Sequence, residues 1–424
     1  MEGSIQEVSH PAPPPPPPRQ RQQHYQQKMP MALFPGSLYV SPVTVEQWKW
    51  LASRPAARDS LGLINWPAEG GGEGGDRCFT RLDSLAASQL SLPQRSVQDG
   101  RVSVHFPLAT DRLLQLQYQD HMQEISMARL LKDMDCLGGH VCRKHCLGDE
   151  GASRPLVFLT VLLDGLVIHK PLLFDVDVEL IGTVQRAGRS SLHVHIQAVQ
   201  HQATALEAGL VFVARDRITG KPARVNALEA RRVDVDDHHD HHAAPGAWQQ
   251  LVGCMLDEGR QLLAAGSKDD ASAVLIQRTR HQTCFVVEPQ QLNSQGSVFG
   301  GELLAAACGL AMCTAYGFAA HFGHGRSRPR LKHVYHVKFL EGAKLGTSVQ
   351  LEAFVMRTEP EEECRGEQRI HVQVKITAGS KELALYNAMF ACESTPALPR
   401  VLPSNRDEQS ALVELVKAWD ARTR

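Results

Sequence analysis

The stretch Asn293 to Leu304, NSQGSVFGGELL, decides how the rest of the chain is read. Gly296, Gly300 and Gly301 loosen the backbone just ahead of the apolar run from Leu303 to Ala311, so the stretch reads as an extended segment, a glycine turn and a helix start. Backbone N–H groups at such a start have no partner inside the helix, and the macrodipole adds to their preference for negative charge. A developing oxyanion or a phosphate suits that place. Taken alone, glycines before a helix are also ordinary punctuation.

Outward from this stretch, the apolar pattern predicts a helix from Phe299 to about Phe322. A strand, CFVVE, precedes it; HVYHVKF from His333, SVQLEAFVM from Ser348, RIHVQVKI from Arg369 and ELALYNAMFA from Glu382 follow. The same order occurs upstream. VSVHF after Arg101 reads as a strand, and Met127, Leu130, Leu131, Met134, Gly138 and Val141 recur at helical spacing in a helix reaching about His145. Strands are then predicted at Leu156–Leu163, at DVDVELIGTV, at LHVHIQ and at Ala208–Ala214, with Leu192, Val194 and Ile196 alternating against His193, His195 and Gln197. The second block repeats the first at an offset of roughly 170 residues, a whole-domain duplication. A long helix clasped by an antiparallel sheet, occurring twice, is an α+β arrangement of two tandem hotdog domains. Such units pair by joining sheets and facing their helices, and here one chain carries both halves.

The expected boundaries are a Pro/Gly-rich flexible arm over 1–100, a first domain over 101–230 and a His/Asp-rich linker over 231–272. A second domain over 273–395 and a tail over 396–424 complete the chain. The tail carries an amphipathic helix with Leu412, Leu415, Val416 and Trp419, started by Ser404. At 424 residues the chain exceeds one ordinary core. Its net charge of -1 supplies no global field for nucleic acid or an acidic membrane surface, so an anionic ligand must be met locally. No apolar run is read as approaching the roughly 20 residues of a membrane span, and no stable membrane insertion is expected. Among the 10 cysteines, Cys136, Cys254, Cys308, Cys313 and Cys392 sit in apolar surroundings and read as reduced, packed thiols. The first residues read either as an organellar presequence or as a polyproline II arm, which leaves mitochondrion, plastid and cytoplasm open.

In the second block Asn293, Gly296, Phe299, Gly300 and Gly301 resemble the acyl-coenzyme A thioesterase hotdog motif, in which Asn, Gly and Phe-Gly-Gly open the central helix. Members with a single hotdog carry an Asp at a fixed distance after the second glycine. Here that position is Cys308. Sliding the first block onto the second puts Ser126, Met127 and Ala128 on Phe299, Gly300 and Gly301, and Asp135 then falls where the acid belongs, while Asp120 takes the place of Asn293. One complete Asn and Asp pair is thus divided between the halves, and the other pair is eroded. With RLLKDMD, GRSS and VARD in the first half, the chain resembles tandem-hotdog thioesterases of the eukaryotic mitochondrial acyl-coenzyme A thioesterase 9 family over roughly residues 100 to 395.

The resemblance implies hydrolysis of acyl-CoA to free acid and CoA, with no separate cofactor because coenzyme A is part of the substrate, and a homo-oligomer such as a trimer of double hotdogs. By residue type, Asp135 serves as general base or nucleophile, Asn293 orients the water or the carbonyl, and the amides of Gly300 and Gly301 meet the oxyanion. Asp133, two residues earlier, points elsewhere. Gly296 and Phe299 belong to the substrate-binding turn, and Arg189, Ser190 and Ser191 form a tight turn that contacts the coenzyme A phosphates in related hotdogs. Read alone, Asp135 is equally an inert helix carboxylate, and GRSS an ordinary polar hairpin. The matching turn of the second block, EPEEECRGEQ, is acidic and repels phosphate. CLGGHVCRKHC lacks the turn spacing of a zinc site, and no metal is expected. The rival readings are a non-catalytic acyl-CoA or lipid-binding double hotdog, and an interaction scaffold built on the arm and the tail helix.

Overall fold

The computed structural model describes residues 41–44, 46, 92–147, 154–229, 245–266, 272–293, 295–323, 328–360, 367–394 and 397–420. The proline run, the GGGEGG stretch and the His/Asp cluster at 234–242 lie outside them. In the first half, β1 (Val102–Phe106) is followed by α1 (Arg112–Tyr118), the long α2 (Met127–Leu147), and β2 (Leu156–Ile168), β3 (Val178–Ala187), β4 (Ser191–Gln200) and β5 (Ala203–Asp216). After α3 (Pro245–Ala264), the second half runs β6 (Ala273–Leu275), β7 (His281–Val286), the long α4 (Gly300–Phe322), β8 (Arg330–Val334), β9 (Val337–Phe339), β10 (Ser348–Pro360), β11 (Glu367–Ala378) and β12 (Lys381–Glu393). It closes with β13 (Arg400–Leu402) and α5 (Arg406–Asp420).

Period-2 patterning builds the strands. In β4, Leu192, Val194, Ile196 and Ala198 are 0–1% exposed on the face toward α2, while His193, His195 and Gln197 face away. All strands but β6 and β13 join one 11-stranded sheet in the order β1-β3-β4-β5-β2-β8-β12-β11-β10-β7, with β9 pairing both β12 and β2. The halves meet where β2 runs antiparallel to β8 and β9, through Leu166 opposite Val334 and Leu163 opposite Val337. Helices α2 and α4 lie against the same side and touch each other. Leu130, Leu131, Met134, Leu137 and Val141 of α2 are 0–1% exposed, and burying each such side chain stabilises the fold by about 1.5–3 kcal/mol.

Several expectations are corrected. The segment read as a linker contains α3, which packs on α5 and β13; a Cβ at Gly259 would lie 2.0 Å from the Pro403 carbonyl oxygen, so only glycine allows that approach. Residues 92–100, assigned to the flexible arm, are tied down. The Arg95 amide bonds to the Ala227 carbonyl at 2.9 Å, and Ser96 and Asp99 close a capping box on the helical turn Val97–Gly100. Helix α5 is capped by Asn405, whose Oδ1 accepts from the Glu408 amide at 2.9 Å, while Ser404 donates to the Glu408 carboxylate. The clean alternation expected in β11 breaks at His371, which is buried because Glu359 meets its Nε2 at 3.0 Å and the Trp419 ring of α5 lies edge-on at 5.1 Å. Cys254 and Cys313 are exposed, unlike Cys308 and Cys392.

Helix α4 is also long and apolar enough, by length and composition, to cross a membrane, contrary to the reading of its run as too short. Small residues (Gly, Ala, Cys, Thr) dilute its pattern. Here it is a core helix: Leu303, Leu304, Ala307, Ala311, Ala315 and Ala319 are 0–2% exposed against the sheet and α2.

Two adjacent glycines of α2 make opposite predictions. A Cβ on Gly138 would stand 2.5 Å from the buried Phe212 ring, whereas one on Gly139 meets nothing among the described residues nearer than Arg143 Nη1 at 3.8 Å. Gly138→Ala is therefore expected to destabilise by about 1–3 kcal/mol through overpacking, and Gly139→Ala to stabilise by roughly 0.5–1 kcal/mol through helix propensity. Thermal denaturation of both variants checks the sign.

Candidate functional site

The turn that opens α4 is held by its own asparagine. Asn293 Oδ1 accepts from the amides of Gln295 at 2.9 Å and Ser297 at 3.2 Å, and Gly296 sits at φ +67°, a conformation that glycine adopts without cost. The Val298 amide then bonds to the Ala343 carbonyl, and the Phe299 amide to Gln291. The turn before α2 repeats this bond for bond. Asp120 Oδ1 accepts from Met122 at 2.8 Å and Glu124 at 2.9 Å, Gln123 takes φ 61°, Ile125 bonds to Leu172 and Ser126 to Tyr118. Asp120 thus occupies in its turn the place Asn293 has in the other, and the repeat overlay holds at the level of single hydrogen bonds. Its oxygen is spent on the turn, which leaves Asn293 with Nδ2 as a donor that makes no hydrogen bond among the described residues. Gly296 is exposed and shapes the turn, and the Phe299 ring packs over Gly301, where a Cβ would lie 2.7 Å from Cε1.

Asp135, on α2, reaches across to the start of α4. It is fully buried, its Oδ1 accepts from Thr160 Oγ1 at 2.5 Å, and its Oδ2 accepts from the Gly301 amide at 2.6 Å. A Cβ on Gly300 would stand 3.0 Å from the same Oδ2, a tight contact that the carboxylate could meet only by giving way a few tenths of an ångström. Burial pushes the carboxyl up to about 6, with the Thr160 hydroxyl and the Gly301 amide holding it lower than burial alone would. The group is therefore mostly ionised at neutral pH and protonated in mild acid. Asp133 does point elsewhere: it accepts from the Tyr118 hydroxyl. At the other seam Cys308 replaces the acid, fully buried, with its thiol pushed up to about 11 by burial. It is a neutral thiol at neutral pH.

Two further points differ from the sequence reading. The Gly301 amide is engaged by Asp135 and not left for an oxyanion; the Gly300 amide, first in the helix, makes no hydrogen bond among the described residues. Thr160 was missed. Its signal was a lone hydroxyl inside the apolar run Leu156–Leu163, which has no periodic partner to mark it.

The Gly188–Ser191 turn is tight, with the Gly188 amide on the Ser191 carbonyl at 2.8 Å, and Arg189 is exposed without an ion pair among the described residues. Sheet register aligns Ala187 with Leu192, Leu192 with Phe212 and Phe212 with Thr160. The turn is thus level with Thr160, the partner of Asp135, at two to three strand spacings, about 10–14 Å. Of the acidic turn in the second half, 361–366 lie outside the described residues; Glu359 beside it is taken up by His371 and Arg357. Among the described residues no three His, Cys, Asp or Glu side chains converge as a metal would need.

No family model matches the chain. It is similar to the chloroplastic acyl-coenzyme A thioesterase 2 of Humulus lupulus, 30% identical over 363 residues that make up 78% of this chain and 75% of that one. It is also similar to the mitochondrial acyl-coenzyme A thioesterase 9 of Homo sapiens, 25% identical over 351 residues, 76% of this chain and 78% of that one. Among solved structures, the 12:0-ACP thioesterase from Umbellularia californica aligns with a TM-score of 0.45 and 8% identity over 69% of this chain and 94% of that one.

The buried carboxyl makes a stability prediction. Since its folded value of about 6 lies above the ordinary aspartate value of 3.8, its contribution favours the fold below pH 4 and is lost as pH rises through 6. Asn at 135 carries no charge; with its oxygen accepting from the Gly301 amide, its Nδ2 donates to Thr160 Oγ1, which reverses that bond. The difference in unfolding free energy between Asp135→Asn and wild type is expected to grow in favour of the variant by up to roughly 3 kcal/mol from pH 4 to pH 7.5. Denaturant titrations at both pH values measure it, and a pH-independent difference would contradict the raised carboxyl.

Proposed function

This chain belongs to the acyl-coenzyme A thioesterases, and on that premise we propose that it hydrolyses fatty acyl-CoA at a composite site where the Asn293 turn and the start of α4 meet Asp135 of α2. The observation that carries this reading is the 2.6 Å bond between Asp135 Oδ2 and the Gly301 amide, joining the acid of one half to the helix start of the other. The halves are read as tandem hotdogs forming one double hotdog. The duplicated Asx turns and the sheet shared through β2, β8 and β9 support that reading.

In this mechanism the Asp135 carboxylate takes a proton from water as the water oxygen attacks the thioester carbon. The Gly300 amide and Asn293 Nδ2, both without an acceptor among the described residues, stabilise the oxyanion, a contribution of about 3–4 kcal/mol for a well-placed donor. The tetrahedral intermediate collapses with cleavage of the carbon–sulfur bond, and the proton held by Asp135 passes to the departing thiolate of CoA. Thr160 keeps the carboxylate oriented. The reaction draws on no cofactor beyond the coenzyme A of its substrate. Arg189, Ser190 and Ser191 take the nucleotide phosphates, at a distance from Asp135 comparable to the reach of a pantetheine arm. The other seam, with Cys308 for the acid and Met127 in the place of Gly300, is assigned no turnover. A homo-oligomer of three double units completes the reading. The relatives are named chloroplastic and mitochondrial, and a plastid or mitochondrion is the compartment proposed for this chain.

Acyl-CoA hydrolysis followed by thiol trapping tests the site. Asp135→Asn is expected to lose at least about 1,000-fold in kcat and Asn293→Ala roughly 100-fold, with both proteins folded. In the wild type, kcat should fall in acid with a midpoint near 6, as Asp135 takes up its proton. Bound acyl-CoA with no thiol released would instead favour a binding protein. For the phosphate turn, Arg189→Glu should raise KM for acyl-CoA about fivefold or more and leave the KM of an acyl-N-acetylcysteamine thioester, which lacks the nucleotide, unchanged.

A further inference from the structure

One ion pair crosses the seam beside the proposed acid. Lys132 Nζ on α2 lies 2.5 Å from Glu302 Oε1 on α4, and Glu302 directly follows Gly301 in the first turn of its helix. The backbones also come closest there: a Cβ on Gly301 would stand 3.0 Å from Lys132 Cα. Lys132 and Asp135 are three residues apart on α2 and so share a face. Two successive residues of α4 are therefore gripped by two residues one turn apart on α2, Gly301 by Asp135 and Glu302 by Lys132. We propose that the Lys132–Glu302 pair is a positioning clamp that sets the register of α4 against α2 and thereby holds the Gly301 amide on Asp135.

The asymmetry of the repeat supports this. Carried through the overlay that matches Asp120 to Asn293, Lys132 corresponds to Ala305 and Glu302 to Arg129. At the seam that has Cys308 in place of the acid, the two positions cannot form an ion pair. The clamp occurs only where a carboxylate has to be placed. Lys132 and Glu302 side chains are 42% and 18% exposed, and an ion pair so placed adds little to global stability. Its effect belongs in the geometry of the site, where a displacement of about 1 Å costs up to roughly 100-fold in rate.

The inference rests on the thioesterase reading with Asp135 as its base. The full chain is assayed for acyl-CoA hydrolysis as wild type, Lys132→Glu, Glu302→Lys, the double swap and Asp135→Asn, with Tm measured for each. Each single reversal is expected to lower kcat by roughly 10- to 100-fold with KM nearly unchanged, and to move the acid limb of the pH profile upward as the Gly301 amide leaves the carboxylate. The double swap, which restores the pair with its polarity reversed, should return kcat to within about threefold of wild type. Where a reversal fails to fold, Lys132→Met removes the charge and keeps most of the stem, and the same direction of change is expected. Single variants with wild-type kcat and acid limb, or a swap as slow as the singles, overturn the clamp while an inactive Asp135→Asn leaves the thioesterase reading intact. An active Asp135→Asn overturns that reading itself.

Discussion

A carboxylate taken fully out of water costs several kcal/mol unless hydrogen bonds replace its hydration, and that cost at Asp135 constrains much of this molecule. One bond comes from Thr160 in the same half, the other from the first turn of a helix in the opposite half. For that second bond to form, α4 must begin with residues lacking a Cβ, its axis must pass within backbone distance of α2, and the two half-sheets must be continuous through β2, β8 and β9. Gly300 thus answers to an aspartate far upstream, and Gly301 to its own Phe299 ring and to the Lys132 backbone. The helix macrodipole adds to the same effect, since its positive end faces the anion.

How much of this was legible depends on whether the signal was periodic. β4 alternates cleanly, β11 does so except at His371, α2 repeats apolar residues at helical spacing and α4 is a long apolar run, so their existence and order followed from pattern. The repeat overlay was legible because the Asx turn fixes its own spacing: Asp120 and Asn293 each bond two and four residues ahead. Features set by a single tertiary contact were not. Thr160 is a lone hydroxyl in an apolar strand, His371 is buried only because Glu359 and Trp419 meet it, and α3 was masked by the polar run before it. The engagement of the Gly301 amide by Asp135 likewise depends on an approach no local pattern encodes.

The paired turns also separate structural from chemical use of one residue type. Asn293 and Asp120 both place an oxygen on their own backbone, which accounts for either residue at that position without any appeal to chemistry. The difference lies in the second side-chain atom. An amide nitrogen can donate to a developing oxyanion, whereas a second carboxylate oxygen would repel it. Through the repeat overlay Asp120 and Cys308 take the places of Asn293 and Asp135, so the first half keeps the Asx turn without the amide donor and without the acid.

The junction through β2 has a consequence for synthesis. On the way off the ribosome the first half finishes β2 and α2 while β8 and β9 are still untranslated, so β2 stands as an open edge with unpaired main-chain groups, and Asp135 lacks its α4 donor. Strand pairing across so long a sequence separation is slow. A half-made chain therefore presents a strand suited to pairing with another nascent copy, and that hazard ends only when the second half of the same chain arrives to cover it.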